Sequence, residues 1–121
     1  MSGQRDDALL LDDAIKATRR LIELGQESEL GMVGGDQDQA DMIQWNLVVL
    51  GEAAKRVCAS TRDKFPDVPW RQMSRTRDRI AHHYEGVDWV VVAQVIHNEL
   101  PALLPRLIEI RDTLRAEFDA G

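Results

Sequence analysis

A basic segment of the chain, residues 71–84, contains the side chains best suited to acid–base chemistry on a phosphate. It holds four arginines, one acid, two of the three histidines and the only tyrosine: Arg71, Arg75, Arg77, Arg79, Asp78, His82, His83 and Tyr84. Arginine supplies a planar, permanently charged fork that suits phosphate oxygens, and histidine exchanges protons near neutral pH. Such a set could cleave a phosphodiester without a metal. The alternative is that these residues form only a solvated basic helix face.

The spacing within this segment bears on how such chemistry would be organised. On a helix, Arg77 and His82 are five residues apart, which separates them by about 140° around the axis. One helix therefore offers a single positioned acid–base group, whereas RNA transesterification needs a base for the 2′-hydroxyl and an acid for the leaving 5′-oxygen. A two-fold dimer with this helix near its axis would bring two copies of each side chain into one cleft. The chemistry therefore predicts a homodimer.

Other candidate sites in the sequence have a simpler structural interpretation. Residues 36–41 resemble a calcium loop, but Ala40 stands at the fifth position and no glycine at the sixth, so helix-capping acids are favoured. Cys58 lies on a mostly apolar helix pattern and is interpreted as an inert core thiol. His97 is interpreted as a structural or surface histidine. No glycine-rich loop with a following lysine is present for nucleotide phosphates. We therefore predict neither a cofactor nor a bound metal.

Composition places the chain among ordinary globular domains. Its 121 residues are 44% hydrophobic and carry a net charge of −6, which predicts a single domain over residues 1–121 and argues against a general nucleic-acid coat protein. A local basic site stays compatible with that charge. No apolar run is long enough for a membrane span, and the acidic N-terminus is unlike a signal peptide. With one cysteine there is no disulfide framework, so a cytoplasmic location without membrane contact is expected.

The first half of the chain predicts two helices. Residues 8–24 show an apolar stripe with acids before it and a glycine after it, namely Leu11, Ile15, Thr18 and Ile22, flanked by Asp6, Asp7 and Gly25. Residues 26–35 predict a loop. A second helix is predicted over residues 38–60, apolar on more than one face. Because Trp45, Val48 and Val49 supply apolar area beyond one core stripe, this helix and the motif helix are predicted to form the dimer interface.

Prolines and glycines divide the second half of the chain. Residues 65–70 predict a proline-fixed connector, in which Pro69 could occupy the first position of a short helix. Ser74 is predicted to cap the next helix, which runs to about His83 and is ended by Gly86.

The last predicted element begins after Asp88, a favourable N-cap residue. Residues 89–96 are rich in β-branched side chains and could form a strand, but helical spacing continues for more than twenty residues and favours a helix. A bend is expected near Pro101 and Pro105. The predicted fold class is therefore all-α, an antiparallel bundle of four to five helices.

At the basic segment the sequence resembles the HEPN superfamily, and within it the HepT-like toxins of prokaryotic HEPN–nucleotidyltransferase pairs. The family signature is an arginine, four to six residues, a histidine and, two residues later, a tyrosine, which Arg77, His82 and Tyr84 match. The pairs Arg75–His82 and Arg77–His83 also satisfy the looser spacing. Flanking blocks at residues 51–56, 65–70 and 85–88 resemble family blocks, and the resemblance as a whole spans roughly residues 8–117. One departure is Arg75-Thr76, where such proteins usually show a small residue followed by methionine.

The resemblance implies a dimeric all-helical bundle and, in many members, a metal-independent ribonuclease acting on RNA such as tRNA. Arg77 would then stabilise phosphate charge, His82 would be the acid–base group, and Asp78 would orient or structure the site. The resemblance also implies an antitoxin of the MNT nucleotidyltransferase type that transfers AMP onto Tyr84, which could in addition contact substrate. The alternative function is a non-catalytic helical dimer that binds a nucleotidyltransferase partner or a nucleotide or RNA.

Overall fold

The structure, a computed structural model, describes residues 2–27, 33–82 and 86–120. Its helices are α1 (Ser2–Gln26), α2 (Gln37–Arg56), α3 (Ala59–Lys64), α4 (Trp70–His82), α5 (Trp89–Gln94) and α6 (Leu100–Ala120). A π-helical turn over Val95–Glu99 joins α5 to α6 in one continuous helical stretch. No strand occurs in these ranges, so the predicted all-α class is confirmed. No helix within them is long and apolar enough to cross a membrane.

Helix α1 lies at the centre of the bundle and runs antiparallel to both α2 and α6. Near its C-terminal end, the Leu24 carbonyl accepts a hydrogen bond of 3.3 Å from Gln39 at the start of α2. In the N-terminal half of α1, Asp12 pairs with Arg111 and Arg115 in the last half of α6. Contacts between opposite ends of neighbouring helices define antiparallel packing, which confirms the predicted arrangement for these helices.

The apolar stripe predicted for α1 is buried, but the ends of the helix differ from prediction. Leu11, Ile15 and Thr18 are buried, whereas Ile22 is only partly buried. The helix starts at Ser2 instead of residue 8, and Gly25 lies within it instead of ending it. A Cβ atom at Gly25 would stand 2.4 Å from the Ile96 side chain, so this glycine allows α1 to approach the π-helical turn closely.

Asp7, predicted as an acid before the first turn of α1, instead lies inside that helix and is buried. Its carboxylate accepts a hydrogen bond of 2.6 Å from the Thr61 hydroxyl and one of 3.1 Å from the Cys58 backbone N–H. The residue before α3, Cys58, makes no side-chain cap of its own. Asp7 therefore caps α3 from another helix, because a negative group satisfies free N–H groups at a helix N-terminus.

We expect Asp7→Ala to lower the free energy of unfolding by about 2 kcal/mol, since it leaves a buried hydroxyl and a backbone N–H without their acceptor. At roughly 4 °C per kcal/mol this corresponds to a melting temperature about 8 °C lower, measurable by circular dichroism. Asp6→Ala is the matched control, because Asp6 is an exposed neighbour. Equal melting temperatures for the two variants would contradict the capping role.

The prediction of one helix over residues 38–60 is wrong at its C-terminal end. Helix α2 stops at Arg56, and α3 begins at Ala59. Cys58 lies in the break between them and is exposed, so its assignment to the core is also wrong. The charge of Asp7 raises the pKa of the Cys58 thiol. This shift keeps Cys58 protonated and agrees with an unreactive cysteine.

The prediction of a helix capped by Ser74 is wrong, because α4 already begins at Trp70. Pro69 immediately precedes that helix, and its carbonyl accepts a 3.1 Å hydrogen bond from the Met73 N–H. The Trp70 indole donates a 3.0 Å hydrogen bond to the Phe65 carbonyl and fixes the connector of residues 65–70. The described part of α4 ends at His82, and His83, with the predicted helix end there, lies outside the described residues.

The helix predicted after Asp88 is confirmed, and the strand alternative is excluded. The Asp88 carboxylate accepts hydrogen bonds from the Val90 and Val91 N–H groups, as an N-cap does. The bend expected near Pro101 and Pro105 stays a prediction. The helix is irregular before Pro101, in the π-helical turn, where the Leu100 N–H bonds to the Val95 carbonyl. Pro101 follows directly, and a widened turn accommodates a ring that would otherwise crowd the preceding turn.

Candidate active site

Helices α2 and α4 approach each other closely at Gly51, beside the motif. A Cβ atom there would lie 2.3 Å from the Arg77 Cβ atom and 2.6 Å from the Met73 carbonyl oxygen. The Met73 oxygen is part of the α4 backbone and the Arg77 Cβ atom is bonded directly to that backbone, so neither atom can rotate away. Only glycine permits this contact, and the contact places the start of the Arg77 side chain directly against α2.

Two carboxylates hold the Arg77 guanidinium. Its Nη1 donates a 2.9 Å hydrogen bond to Asp78 Oδ1, and its Nε lies 3.2 Å from Glu52 Oε2. The second contact pairs the charges without the alignment of a hydrogen bond, and Nε itself is shielded from solvent. The side chain is 28% exposed, and Nη2 takes part in neither contact. The arrangement fixes the direction of a permanent cation while leaving part of it accessible to an anion.

Asp78 links Arg77 to a second cation on α2. Its Oδ1 atom lies 3.8 Å from Lys55 Nζ and also accepts the hydrogen bond from Arg77. The predicted role of Asp78 in structuring the site is consistent with this geometry and stays a prediction. The four groups carry two positive and two negative charges, so an approaching phosphate meets an oriented guanidinium and not a region of strong net positive charge.

Glu52 and Lys55 were not predicted as site residues. Both belong to the block 51–56, which was singled out only by its resemblance to a family block. Their spacing of three residues places them on one side of α2, where both reach the pair Arg77 and Asp78 on α4. The signal available in the sequence was Gly51, a glycine inside a helix pattern, which indicates close approach of another backbone.

The remaining motif residues lie at or beyond the end of the described part of α4. His82 is the last residue of that helix, and its side chain lies outside the described residues. Tyr84 also lies outside them. Helical register places position 82 four residues after Asp78 and seven after Arg75, on the same side of α4. The roles predicted for His82 and Tyr84 therefore stay predictions.

The candidates that we interpreted as structural are placed as follows. Asp36 caps α2, because its carboxylate accepts a hydrogen bond of 3.0 Å from the Gln39 N–H, which confirms the capping interpretation. His97 lies half-buried in the π-helical turn, and its Nε2 atom has no hydrogen-bond partner in the described ranges. Within those ranges, no three His, Cys, Asp or Glu side chains come close enough together to hold a metal ion.

Comparisons with known proteins identify the relatives of this chain. The sequence model of the family described as Ribonuclease HepT-like matches residues 11–110. A candidate RNase of Methanocaldococcus jannaschii is 25% identical over 94% of this chain and 94% of its own length. A candidate ribonuclease HepT of Thermococcus cleftensis is 34% identical over 54% of this chain and 59% of its own length. No solved structure matches the chain. The match covers most of the bundle and both helices that build the site, and the chain belongs to the HepT-like ribonuclease family of the HEPN superfamily.

Proposed function

We propose that this protein is a metal-independent endoribonuclease and the toxin of a toxin–antitoxin pair. The observation that supports the proposal most directly is the anchoring of Arg77 between Glu52 and Asp78, at the crossing of α2 and α4. An arginine that is fixed in direction but partly exposed suits a reaction in which negative charge develops on a phosphate. Membership in a ribonuclease family makes RNA the expected phosphodiester.

In the proposed reaction the 2′-hydroxyl oxygen attacks the adjacent phosphorus while a neutral His82 takes its proton. The bond from phosphorus to the 5′-oxygen breaks, and the leaving oxygen receives a proton from a protonated second histidine. The products are a 2′,3′-cyclic phosphate and a 5′-hydroxyl, so protons balance over the step. Arg77 would stabilise the charge on the phosphoryl oxygens, a contribution typically of about 3 kcal/mol.

A homodimer would supply the second histidine. The exposed side of α2 carries Trp45, which is 67% exposed, with Met42 and the partly buried Val49 near it. Glu52 is seven residues from Trp45 and therefore lies on the same side of α2, next to Arg77. Pairing of two chains through this surface would bury the tryptophan and bring both Arg77 sites together. Light scattering should give about twice the 13.7 kDa chain mass, and a monomer at micromolar concentration would contradict the dimer.

The enzyme proposal is tested by incubating the purified protein with tRNA and mRNA in EDTA. We expect the wild-type protein to cleave RNA to products with a cyclic phosphate, and His82→Ala to lose most of the activity, by about 10²- to 10⁴-fold. His97→Gln is the matched control, because it replaces another histidine, in the π-helical turn beside Gly25, that has no part in the proposed reaction. If the RNA remains equally intact after incubation with the wild-type protein and with His82→Ala, the proposed catalysis is contradicted.

The alternative function, a binding module without catalysis, makes a different prediction in cells. A catalytic toxin should arrest growth when it is expressed without its partner, and His82→Ala should relieve the arrest. Toxicity that persists in His82→Ala would favour binding over cleavage. The same pair of strains thus discriminates between the two functions without knowledge of the RNA substrate.

We propose that an MNT-type nucleotidyltransferase silences the toxin by transferring AMP to Tyr84. The phenolic oxygen would attack the α-phosphorus of ATP, form a phosphodiester, lose its proton to solvent and release pyrophosphate. The added negative group can pair with Arg77 and repel an RNA backbone. Tyr84→Phe removes the acceptor hydroxyl, so co-expression should yield no AMP adduct by mass spectrometry and no relief of toxicity. AMP on another residue, or equal silencing of both proteins, would contradict this mechanism.

A further inference from the structure

Three arginines form a row along the side of α4 that faces solvent. Arg71, Arg75 and Arg79 are spaced four residues apart and are all exposed, and their side chains form no ion pair or hydrogen bond with any described residue. We call this row the arginine ridge. By contrast, five other arginines each contact a carboxylate, namely Arg20, Arg77, Arg106, Arg111 and Arg115. Among the described residues, the ridge is thus a concentration of positive charge with no paired carboxylate, on a protein with a net charge of −6.

The ridge leads along α4 to the position of the motif histidine. Steps of four residues advance about 6 Å and turn about 40°, so the three arginines span about 12 Å of the helix. Position 82 lies seven residues beyond Arg75, within about 20° of the same side. Arg77 stands about 200° from Arg75 and faces α2 instead. Helix α4 therefore presents the anchored Arg77 on one side. On another side it presents the three ridge arginines, which lead toward residue 82.

Two shallow grooves border the ridge, and each combines charged or polar side chains with apolar ones. Arg71 and Arg75 line one shallow groove with Arg62 and Asp63, so three cations there face one acid. The Arg62 Nε atom is shielded and has no hydrogen-bond partner among the described residues. Gln72 and Thr76, exposed on the flank of the ridge, are also polar. A line of guanidinium groups suits a regular chain of phosphates.

From this arrangement, and resting on the proposed ribonuclease function, we infer that the arginine ridge binds the phosphate backbone of single-stranded RNA and guides it to residue 82. The ridge arginines position the strand through several phosphates, whereas Arg77 acts at the phosphate that is cleaved.

The inference predicts how RNA affinity depends on salt. Binding of a non-cleavable 2′-O-methyl RNA of about twelve nucleotides would be measured by fluorescence anisotropy at several salt concentrations. Each arginine removed should weaken binding about fivefold. It should also lower the slope of log affinity against log salt by about 0.7, the value for a phosphate contact on a single strand. The variants are Arg75→Gln and the double variant Arg71→Gln/Arg75→Gln. Arg115→Gln on α6 removes the same charge far from α4 and should change neither quantity.

A second readout separates this inference from the proposed function. The double variant should lose kcat/KM on long RNA by about 25-fold, two fivefold steps. It should lose much less on a dinucleotide, because a single phosphodiester at residue 82 does not extend to Arg71. If the wild type cleaves RNA and the double variant is unchanged on long RNA, the inferred RNA binding by the ridge is wrong, and the proposed ribonuclease function is retained. If RNA is bound through the ridge but never cleaved, the proposed ribonuclease function is wrong, and RNA binding by the ridge is retained.

Two further outcomes would overturn the ridge. One is that the wild-type protein does not bind the single-stranded RNA, or binds it with the same salt dependence as the double variant. The other is that the double variant binds RNA normally but no longer binds the nucleotidyltransferase partner. That result would assign the arginines to recognition of an acidic protein surface.

Discussion

Replacement of Arg77 by alanine should lower kcat/KM for RNA cleavage by about 10²- to 10³-fold, with little effect on the products formed. The magnitude follows from the loss of an oriented charge beside the reacting phosphate, which typically contributes about 3–4 kcal/mol to the transition state. The structure adds a reason for the size of the effect. Glu52 and Asp78 already hold the guanidinium in one direction, so little reorganisation is needed when the phosphate charge develops.

Arg77→Lys separates charge from direction at this position. Lysine keeps the positive charge, but its single ammonium group cannot contact Glu52 and Asp78 as the planar fork does. We therefore expect activity between those of wild type and Arg77→Ala, at similar melting temperatures for all three proteins. If Arg77→Ala cleaves RNA as fast as wild type while remaining folded, Arg77 has no part in catalysis and its contacts are purely structural.

The positions of the helices could be predicted from sequence where the apolar spacing is regular and the cap is local. Helix α1 and the helix after Asp88 are examples, because Leu11, Ile15 and Thr18 form a buried stripe and the Asp88 side chain caps its own helix. The ends of helices failed where the deciding group is distant in sequence. Helix α3 is capped by Asp7, 51 residues before Cys58, so no local pattern around residue 58 could reveal the break.

The candidate site shows the same division. Arg77 could be identified from its spacing to His82, because a motif is a local property of the sequence. Glu52 could not be paired with it in advance, since their contact depends on where α2 crosses α4 and on the side of each helix that faces the other. The helix-interior glycine at residue 51 carried that information, but only the structure shows which backbone it meets.

The packing at Gly51 predicts that Gly51→Ala will damage stability and activity together. The new Cβ atom would lie 2.6 Å from the Met73 carbonyl oxygen and 2.3 Å from the Arg77 Cβ atom, so α4 must move away from α2. Overpacking of this kind costs about 1–3 kcal/mol, which the higher helix propensity of alanine offsets by about 1 kcal/mol. A displacement of about 1 Å at a group that positions substrate can lower activity by about 10²-fold. We therefore expect a modest fall in melting temperature and a much larger fall in kcat/KM.

Gly25→Ala is the matched control for this prediction, because Gly25 is also a helix-interior glycine in close contact with a neighbouring element. Its added Cβ atom would meet the Ile96 side chain at 2.4 Å, at the junction of α1 and the π-helical turn. That variant should lose stability but keep the activity of its folded fraction, since α2 and α4 are not forced apart. A Gly51→Ala protein with wild-type kcat/KM, or an equal loss of activity in both variants, would show that the α2–α4 crossing does not position Arg77 for catalysis.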